Sequence, residues 1–392
     1  MAELQAHSPL GMSSASRYMK CPGSVRLGWG IKDEESEYAA EGTNAHALAE
    51  RCLKTGDDAW QYVNGSPATD FMAFDKETTD AVQVYLNAVR GAHPDRNQSN
   101  FFVERRFHCP QLHEYFYGTS DCTYVDLENR TLHVWDYKHG AGIVVEVENN
   151  PQLMGYGAGM MESLQLWGTI EHVVLHIAQP RAFHYEGPLR EWRISAEELR
   201  LWLDWVLLPA MDRALTSDET QSGEHCRFCP VRSRACPQIA KDMDELETLM
   251  KSFEGGTADE LTDAQVARFL DLLAVAKIAA SAANKTAYNR LQAGADIPGY
   301  KLVSGRANRI WKADAEAALK AKFGNEAFTK PELKSPAEIE KMPMGKTEAA
   351  KYAYKPDVGL TVAKVDDTRK KVDNKVKSLF TDVTKGAKND RS

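Results

Sequence analysis

The sequence predicts a mixed α/β fold followed by a helical, basic C-terminal region. Three observations carry that expectation. Helical and strand-like segments follow one another between residues 37 and 181 in the order helix, helix, three strands, helix, strand. In LHVWDYKHG the apolar positions recur through Leu132, Val134 and Tyr137, a strand pattern. An alanine-rich run between residues 262 and 293 has helical character and little strand propensity. The 392 residues suffice for a large core and more than one domain. A 43% hydrophobic and 27% charged composition is that of an ordinary soluble globular chain.

In chain order, residues 12–29 open on SSASR and continue as CPGSVRLGWG. Residues 37–55 and 78–92 read as helices. FFVERRFH (101–108), GTSDCTYVDL (118–127) and TLHVWDYKHG (131–140) read as strands, with LENR as a hairpin turn between the last two. Residues 150–164 form a helix with Pro151 near its start, where the missing N–H costs nothing. A strand follows at 172–181 and a helix at 195–217. Helices are expected at 238–252 and 262–293. A domain boundary is placed near residue 256, at EGGTADE, giving domains 1–255 and 256–392.

Charge is uneven. From residue 301 onward there are 21 Lys and Arg against 13 Asp and Glu; the first 300 residues hold 27 against 43. An acidic body with a basic tail fits contact between the tail and a polyanion, although a lysine-rich end also serves solubility. No apolar run is long enough to cross a membrane. The N-terminal segment lacks the basic and apolar regions of a signal peptide, so a cytoplasmic protein is expected. Seven cysteines, an odd number, argue against a disulfide framework.

The third strand ends in an acid and a base two residues apart. Residues i and i+2 of a strand share a face, so Asp136 and Lys138 project together. Asp121, in GTSD on the preceding strand, falls where it can join Asp136. Two carboxylates form a hard oxygen site suited to Mg²⁺ or Mn²⁺, and an adjacent ammonium can hold a water or stabilise phosphate charge. Gln152 and Tyr156, at i and i+4, share one helical face. His46, on the helix after Gly42-Thr43, could add an imidazole ligand. Glu104 is read as a polar neighbour, His133 as structural, and His139 as an exposed loop histidine.

Cys226, Cys229 and Cys236 give C-x2-C-x6-C, a thiolate spacing for zinc or an iron–sulfur cluster. Among the candidates for a fourth thiolate, Cys21 in CPGS stands out; Cys52, Cys109 and Cys122 read as buried thiols, and His225 could supply nitrogen to a zinc site. Near the C-terminus, Arg306, Arg309, Trp311 and Lys312 could track a nucleic-acid backbone, or could belong to a packed strand with solvated arginines.

The set His46, Asp121, Asp136-x-Lys138 and Gln152-x-x-x-Tyr156 resembles the RecB-type branch of the PD-(D/E)XK nuclease superfamily over roughly residues 40–160. That resemblance implies a restriction-endonuclease-like core, a mixed central sheet flanked by helices. It implies metal ligation by Asp121 and Asp136 with His46 as a further ligand, Lys138 at the attacking water, and Gln152 and Tyr156 at the DNA. One cysteine before the core and three after it resemble the iron–sulfur staple of AddB-type nucleases and CRISPR-associated relatives. Cys21, Cys226, Cys229 and Cys236 would then hold a [4Fe–4S] cluster, with a structural zinc ion as the alternative. SSASR-x-x-x-CPGS, the core and PGYKLVSGR together resemble a phage-encoded family of unknown function, which implies work in phage DNA replication or recombination. The expectation is an Mg²⁺- or Mn²⁺-dependent DNA nuclease, an exonuclease, acting in the host cytoplasm with a single-strand-binding protein or helicase as candidate partners. The alternatives are a catalytically inactive DNA-binding scaffold and a zinc-stabilised adaptor.

Overall fold

The central strands are buried on both faces, and different helices cover the two sides of the sheet. The computed structural model describes residues 8–31, 37–63, 73–233, 236–251, 261–305, 309–312, 314–329, 332–342, 344–354, 360–364 and 370–372. Helices α1 (Ala15–Lys20), α2 (Gly23–Gly28), α3 (Glu37–Thr55) and α4 (Lys76–Ala92) come first. Strands β1 (Phe101–His108), β2 (Tyr117–Asp126) and β3 (Thr131–Tyr137) follow. Helix α5 (Pro151–Ser163) then leads to β4 (His172–Ala178) and β5 (Leu189–Ser195). The five strands lie in sequence order, all antiparallel except the parallel pair β3–β4. A parallel pair needs a crossover, and α5 supplies it. The mixed α/β expectation holds.

Even-numbered Leu132 and Val134 of β3 pack with Leu153, Met160 and Met161 of α5 on one face. Odd-numbered Trp135 and Tyr137 pack with Leu48 of α3 and with Val82, Tyr85 and Leu86 of α4 on the other. Helix α5 lies close to the sheet because of Gly159: a Cβ there would stand 2.3–2.6 Å from the Phe107 ring. Among the described residues no helix is long and apolar enough to cross a membrane.

Four elements differ from expectation, among them β4, which ends at Ala178 rather than at residue 181. β5 was not anticipated; it is an edge strand in which only Arg190 and Ile194 are buried, so its apolar signal is weak. β3 ends at Tyr137 rather than at residue 140. The helix expected over 195–217 divides into α6 (Ala196–Trp202), a π-helical turn (Leu203–Leu207) and α7 (Leu208–Thr216). Pro209 has no N–H to give the Trp205 carbonyl, and the turn widens so that the Leu208 N–H reaches Leu203 instead.

Helix α8 (Pro237–Lys251) and helix α9 (Asp263–Gln292) follow. The chain divides into two compact units, Met1–Ile278 and Ala279–Ser392, and the division falls within α9. The boundary expected near residue 256 lies outside the described residues. The second unit has a small core of Ala315, Leu319, Ala327, Ile339 and Ala349. Its longest strand pair is antiparallel, Tyr300–Ser304 with Leu360–Lys364.

Beneath β2–β4 sits a buried aromatic cluster. His133 Nδ1 lies 3.1 Å from His176 Nε2, and the Trp135 indole N–H donates to His93 Nε2 at 2.9 Å. Trp135 stacks on His176 at 3.9 Å between ring centres, and His93 stacks on Tyr124 at 4.2 Å. Burial pushes His93 and His133 down to about 4 and His176 well below its ordinary value, against the weaker pull of Asp126 on the first two. His133 is therefore structural, as expected. Depressed histidines stabilise the fold fully above the unfolded value near 6.5, and that stability is lost as pH falls toward 4. Imidazole NMR resonances of His93, His133 and His176 followed from pH 7.5 to 4.5 should stay those of the neutral ring down to about pH 5. A midpoint near the ordinary value of 6.5 would disprove the assignment.

Candidate metal centre

Interrupted strand pairing makes the site. Pairs Val103↔Cys122 and Arg105↔Ser120 flank Glu104 and Asp121, which stand opposite one another without pairing. Glu104 has φ of +50°, a left-handed conformation that costs a residue with a Cβ about 1–3 kcal/mol. On the other side of β2, the ladder to β3 runs as far as Cys122↔Trp135 and stops. The next step would pair Asp121 with Asp136; instead Asp121 Oδ2 accepts the Tyr137 backbone N–H at 2.8 Å. Glu104, Asp121 and Asp136 thus occupy successive positions across three strands.

Helix α3 brings His46 to this row, with Nδ1 3.4 Å from Asp121 Oδ2 and its ring edge-on to Tyr137. His46, Glu104 and Asp121 each offer one donor atom within 4.8 Å of the others. Asp136 is only 2% exposed. Its Oδ1 accepts from Lys138 Nζ at 3.1 Å; Oδ2 lies 2.8 Å from the same ammonium but receives no hydrogen bond. Lys138 Nζ also donates to Gln152 Oε1 at 2.9 Å, and Gln152 Nε2 donates to the Tyr156 hydroxyl at 3.0 Å. Asn150 caps α5 by accepting the Gln152 and Leu153 N–H groups, which fixes the turn that carries Gln152.

Crowding of carboxylates governs the electrostatics. Burial first, then the charge of Asp121, pushes Glu104 up to about 8. Burial also raises Asp136, with Asp121 reinforcing and Lys138 opposing. Hard oxygen and nitrogen donors, excess negative charge and an orphaned carboxylate oxygen are what a divalent cation of the Mg²⁺ or Mn²⁺ class compensates. The donor set fits such an ion.

The residues expected at this site fall in two adjoining sets, His46 with Asp121 and Asp136 with Lys138, Gln152 and Tyr156; Asp136, expected as a ligand, is not in the group whose donor atoms lie within 4.8 Å of one another. Glu104, expected as no more than a polar neighbour, supplies the third member of the ligand group. Its signal lies in a backbone kink that strand alternation does not reveal. His139 is not an exposed loop residue. It is 4% exposed, with Nδ1 2.8 Å from the Tyr137 hydroxyl and Nε2 2.6 Å from Arg181. Burial, then Arg181, holds its imidazole below the ordinary value. Arg181, missed in the sequence, follows β4 and bridges Glu41 and Glu77 at 2.7 and 2.8 Å.

Cys21, Cys226, Cys229 and Cys236 line one enclosed cavity, with His225 beside them. Gly23 permits this closure. Its N–H donates to the Glu219 carbonyl at 2.8 Å, and a Cβ there would meet the Asp218 and Glu219 carbonyl oxygens at 2.8 Å. The following Gln221 N–H then reaches Cys21 Sγ at 3.4 Å. Burial raises the Cys226 thiol to about 11 and raises Cys229 as well. Four convergent thiols fit a thiophilic metal. Cys52, Cys109 and Cys122 are fully buried within the core, as expected.

In the second unit, Arg309 is tied to Glu340 at 2.6 Å, Trp311 Nε1 donates to the Lys334 carbonyl, and Lys312 Nζ to the Lys351 carbonyl. Trp311 packs against that unit's core, so this segment is the packed strand of the second reading. Arg306 lies outside the described residues.

A family model described as protein of unknown function (DUF2800) matches residues 7–370. The chain belongs to the DUF2800 family. The match spans both the carboxylate row and the four cysteines of this DUF2800 chain.

Two measurements probe the sites. Mn²⁺ titration followed by electron paramagnetic resonance should show at least ~10-fold weaker binding in Glu104→Ala; equal affinity would remove Glu104 from the ligand group. Metal analysis should show that Cys21→Ser and Gly23→Ala both lose iron or zinc, with melting lowered by roughly 5 °C or more. Full metal occupancy in Cys21→Ser would sever Cys21 from the site.

Proposed function

We propose that this protein is an Mg²⁺- or Mn²⁺-dependent nuclease that hydrolyses phosphodiester bonds in DNA, on a PD-(D/E)XK-type core closed by a metal bound to four cysteines. The observation that carries the reading is the meeting of His46, Glu104, Asp121, Asp136 and Lys138 from four chain segments around one break in the sheet. Structural ion pairs do not need a ladder broken on both sides of one strand.

His46, Glu104 and Asp121 would hold the cation, with the orphaned Asp136 Oδ2 beside them. A cation there supplies Lewis acidity to a phosphoryl oxygen and lowers the pKa of a water. Lys138 is fixed by Asp136 and Gln152, so its ammonium is oriented before substrate arrives. It can orient the attacking water through one N–H and place positive charge where charge develops on phosphorus-bound oxygen. Gln152 and Tyr156 hold Lys138 in line and present polar edges to the strand. The basic excess beyond residue 301 favours DNA as the polyanion.

The four thiols around one cavity fit an iron–sulfur cluster, with a structural zinc ion as the alternative. A phage replication or recombination role follows from the same reading.

End-labelled linear DNA incubated with Mn²⁺, Mg²⁺ or EDTA tests the activity. Anaerobically purified wild type should degrade it only with metal. Lys138→Ala and Asp121→Ala should lose at least ~100-fold in rate while keeping the wild-type circular dichroism at the assay temperature, although Lys138→Ala should melt lower because buried Asp136 loses its ammonium. Metal-independent cleavage, or full activity in Lys138→Ala, would refute the mechanism; DNA binding without cleavage would support the scaffold alternative.

A further inference from the structure

The end of α2 is a tight turn that displays a tryptophan. Trp29 has φ −61° and ψ 127°, Gly30 has φ +75°, and the Ile31 N–H donates to the Gly28 carbonyl at 3.0 Å. These are the dihedrals of a type II turn, whose third position favours glycine. The turn fixes the Trp29 backbone and leaves the side chain 59% exposed. Upstream, the chain bends at Cys21-Pro22 and brings Ser24 of α2 back to Arg17 of α1. The Arg17 guanidinium donates to Ser24 Oγ at 2.8 Å.

Arg17, Ser24, Gly28, Trp29, Gly30 and Pro230 line one open cavity of about 550 Å³, a volume in the range of small-molecule sites. It shares no lining residue with the carboxylate row, and no acidic side chain among the described residues lines it. Arg17 is half-buried, and its guanidinium bonds only a neutral hydroxyl. Other arginines of this region are met by acids: Arg26 by Asp218 at 3.0 Å and Arg213 by Glu219 at 2.6 Å. Arg17 has no carboxylate partner among the described residues. Its charge is felt at the Cys229 thiol, yet most of its planar fork of donors is unspent. Ser24, 2% exposed, keeps its own O–H to donate. A half-buried cation without counter-charge costs folding energy that an anionic ligand offsets. A ring held in water by a rigid turn contributes nothing to the core and is already ordered for recognition.

We propose that this cavity binds a nucleoside 5′-monophosphate, free or as the phosphorylated end of a strand, with the phosphate on Arg17 and Ser24 and the base on Trp29. A bare anion would satisfy Arg17 and leave the ring unused. An apolar ligand would use the ring and leave the cation unmet. A ligand carrying both a phosphate and a flat ring uses both. The guanidinium fork matches phosphate oxygens in pairs, and the indole face stacks on any base. The choice of a nucleotide among phosphates that carry a ring rests on the nuclease reading above; the unpaired cation and the displayed ring do not.

The test is isothermal titration of the full chain without added divalent metal, so that the carboxylate row holds no ion to attract phosphate. Probes are deoxyadenosine 5′-monophosphate, deoxyadenosine, inorganic phosphate, phenyl phosphate, and a short single strand with a 5′-phosphate or a 5′-hydroxyl. Wild type should bind the monophosphate more tightly than any of the three small fragments. Arg17→Gln should weaken the monophosphate at least ~10-fold and inorganic phosphate with it. Trp29→Ala should weaken the monophosphate at least ~5-fold and leave inorganic phosphate unchanged, and Trp29→Phe should restore most of the loss. Iron or zinc content is measured on each variant. Trp29→Ala, with its ring in solvent, should match the wild type, so that its loss of binding is not loss of metal. A 5′-phosphorylated strand that outcompetes both the 5′-hydroxyl strand and the mononucleotide identifies a strand end; no gain for the strand identifies the free nucleotide. A wild type that does not bind the monophosphate, a Trp29→Ala that binds it unchanged, or phenyl phosphate bound equally well would overturn the proposal. Cleavage with Mn²⁺ is scored separately. Wild-type cleavage without monophosphate binding defeats the cavity alone; monophosphate binding sensitive to Arg17 and Trp29, without cleavage, defeats the nuclease reading alone.

Discussion

A carboxylate buried to 2% exposure, next to a second carboxylate, is the constraint around which this protein is arranged. Burying an ionised group costs several kcal/mol unless charge and hydrogen bonds compensate. Asp136 has one resident compensator, the Lys138 ammonium, which lies near both carboxylate oxygens but hydrogen-bonds only Oδ1. Lys138 stays in place because Gln152 accepts from it, and Gln152 because Tyr156 accepts from Gln152. The relay ends on a helix with a side-chain cap and a glycine-lined contact with the sheet. Removing any link leaves a buried charge less well met.

Topology explains why the compensators are available. β3 and β4 are parallel, so the chain must cross over between them, and the helix that does so lies directly over Asp136. β1, β2 and β3 are antiparallel neighbours, so Glu104, Asp121 and Asp136 can line up across the strands from well-separated sequence positions. The pairing cannot continue through three acids. It breaks, and the backbone N–H of Tyr137 that a ladder would have used goes to an Asp121 carboxylate oxygen instead.

Much of this was legible because periodicity survives locally. The two-residue repeat of LHVWDYK assigns Asp136 and Lys138 to one face and Trp135 and Tyr137 to the other, as observed. The four-residue repeat links Gln152 with Tyr156. What local pattern could not show depends on contacts made across the fold. Glu104 joins the group through a left-handed backbone that FFVERRFH does not announce. His139 looks like a loop residue because it follows the strand, yet Arg181, forty-two residues on, closes over it. β5 hides because an edge strand buries few side chains. Arg309 and Trp311 read equally as nucleic-acid contacts or as a packed strand, because a basic-aromatic pattern does not tell a protein partner from a phosphate; both have partners within the fold.

The four-cysteine site and the carboxylate row are not independent decorations of the fold. Cys21 sits between α1 and α2, and Gly23 docks that turn on the 218–219 backbone. The same N-terminal segment carries Met12, whose side chain fills the space a Cβ would need at Gly155, between Gln152 and Tyr156 on α5. A metal joining Cys21 to Cys226, Cys229 and Cys236 closes a loop of about two hundred residues, where the entropy of the open chain is large. A metal held there would keep Met12 against the helix that orients Lys138. Coupling of this kind would need no electron transfer. It would run through packing, from Met12 to Gly155 to Gln152 to the ammonium beside Asp136.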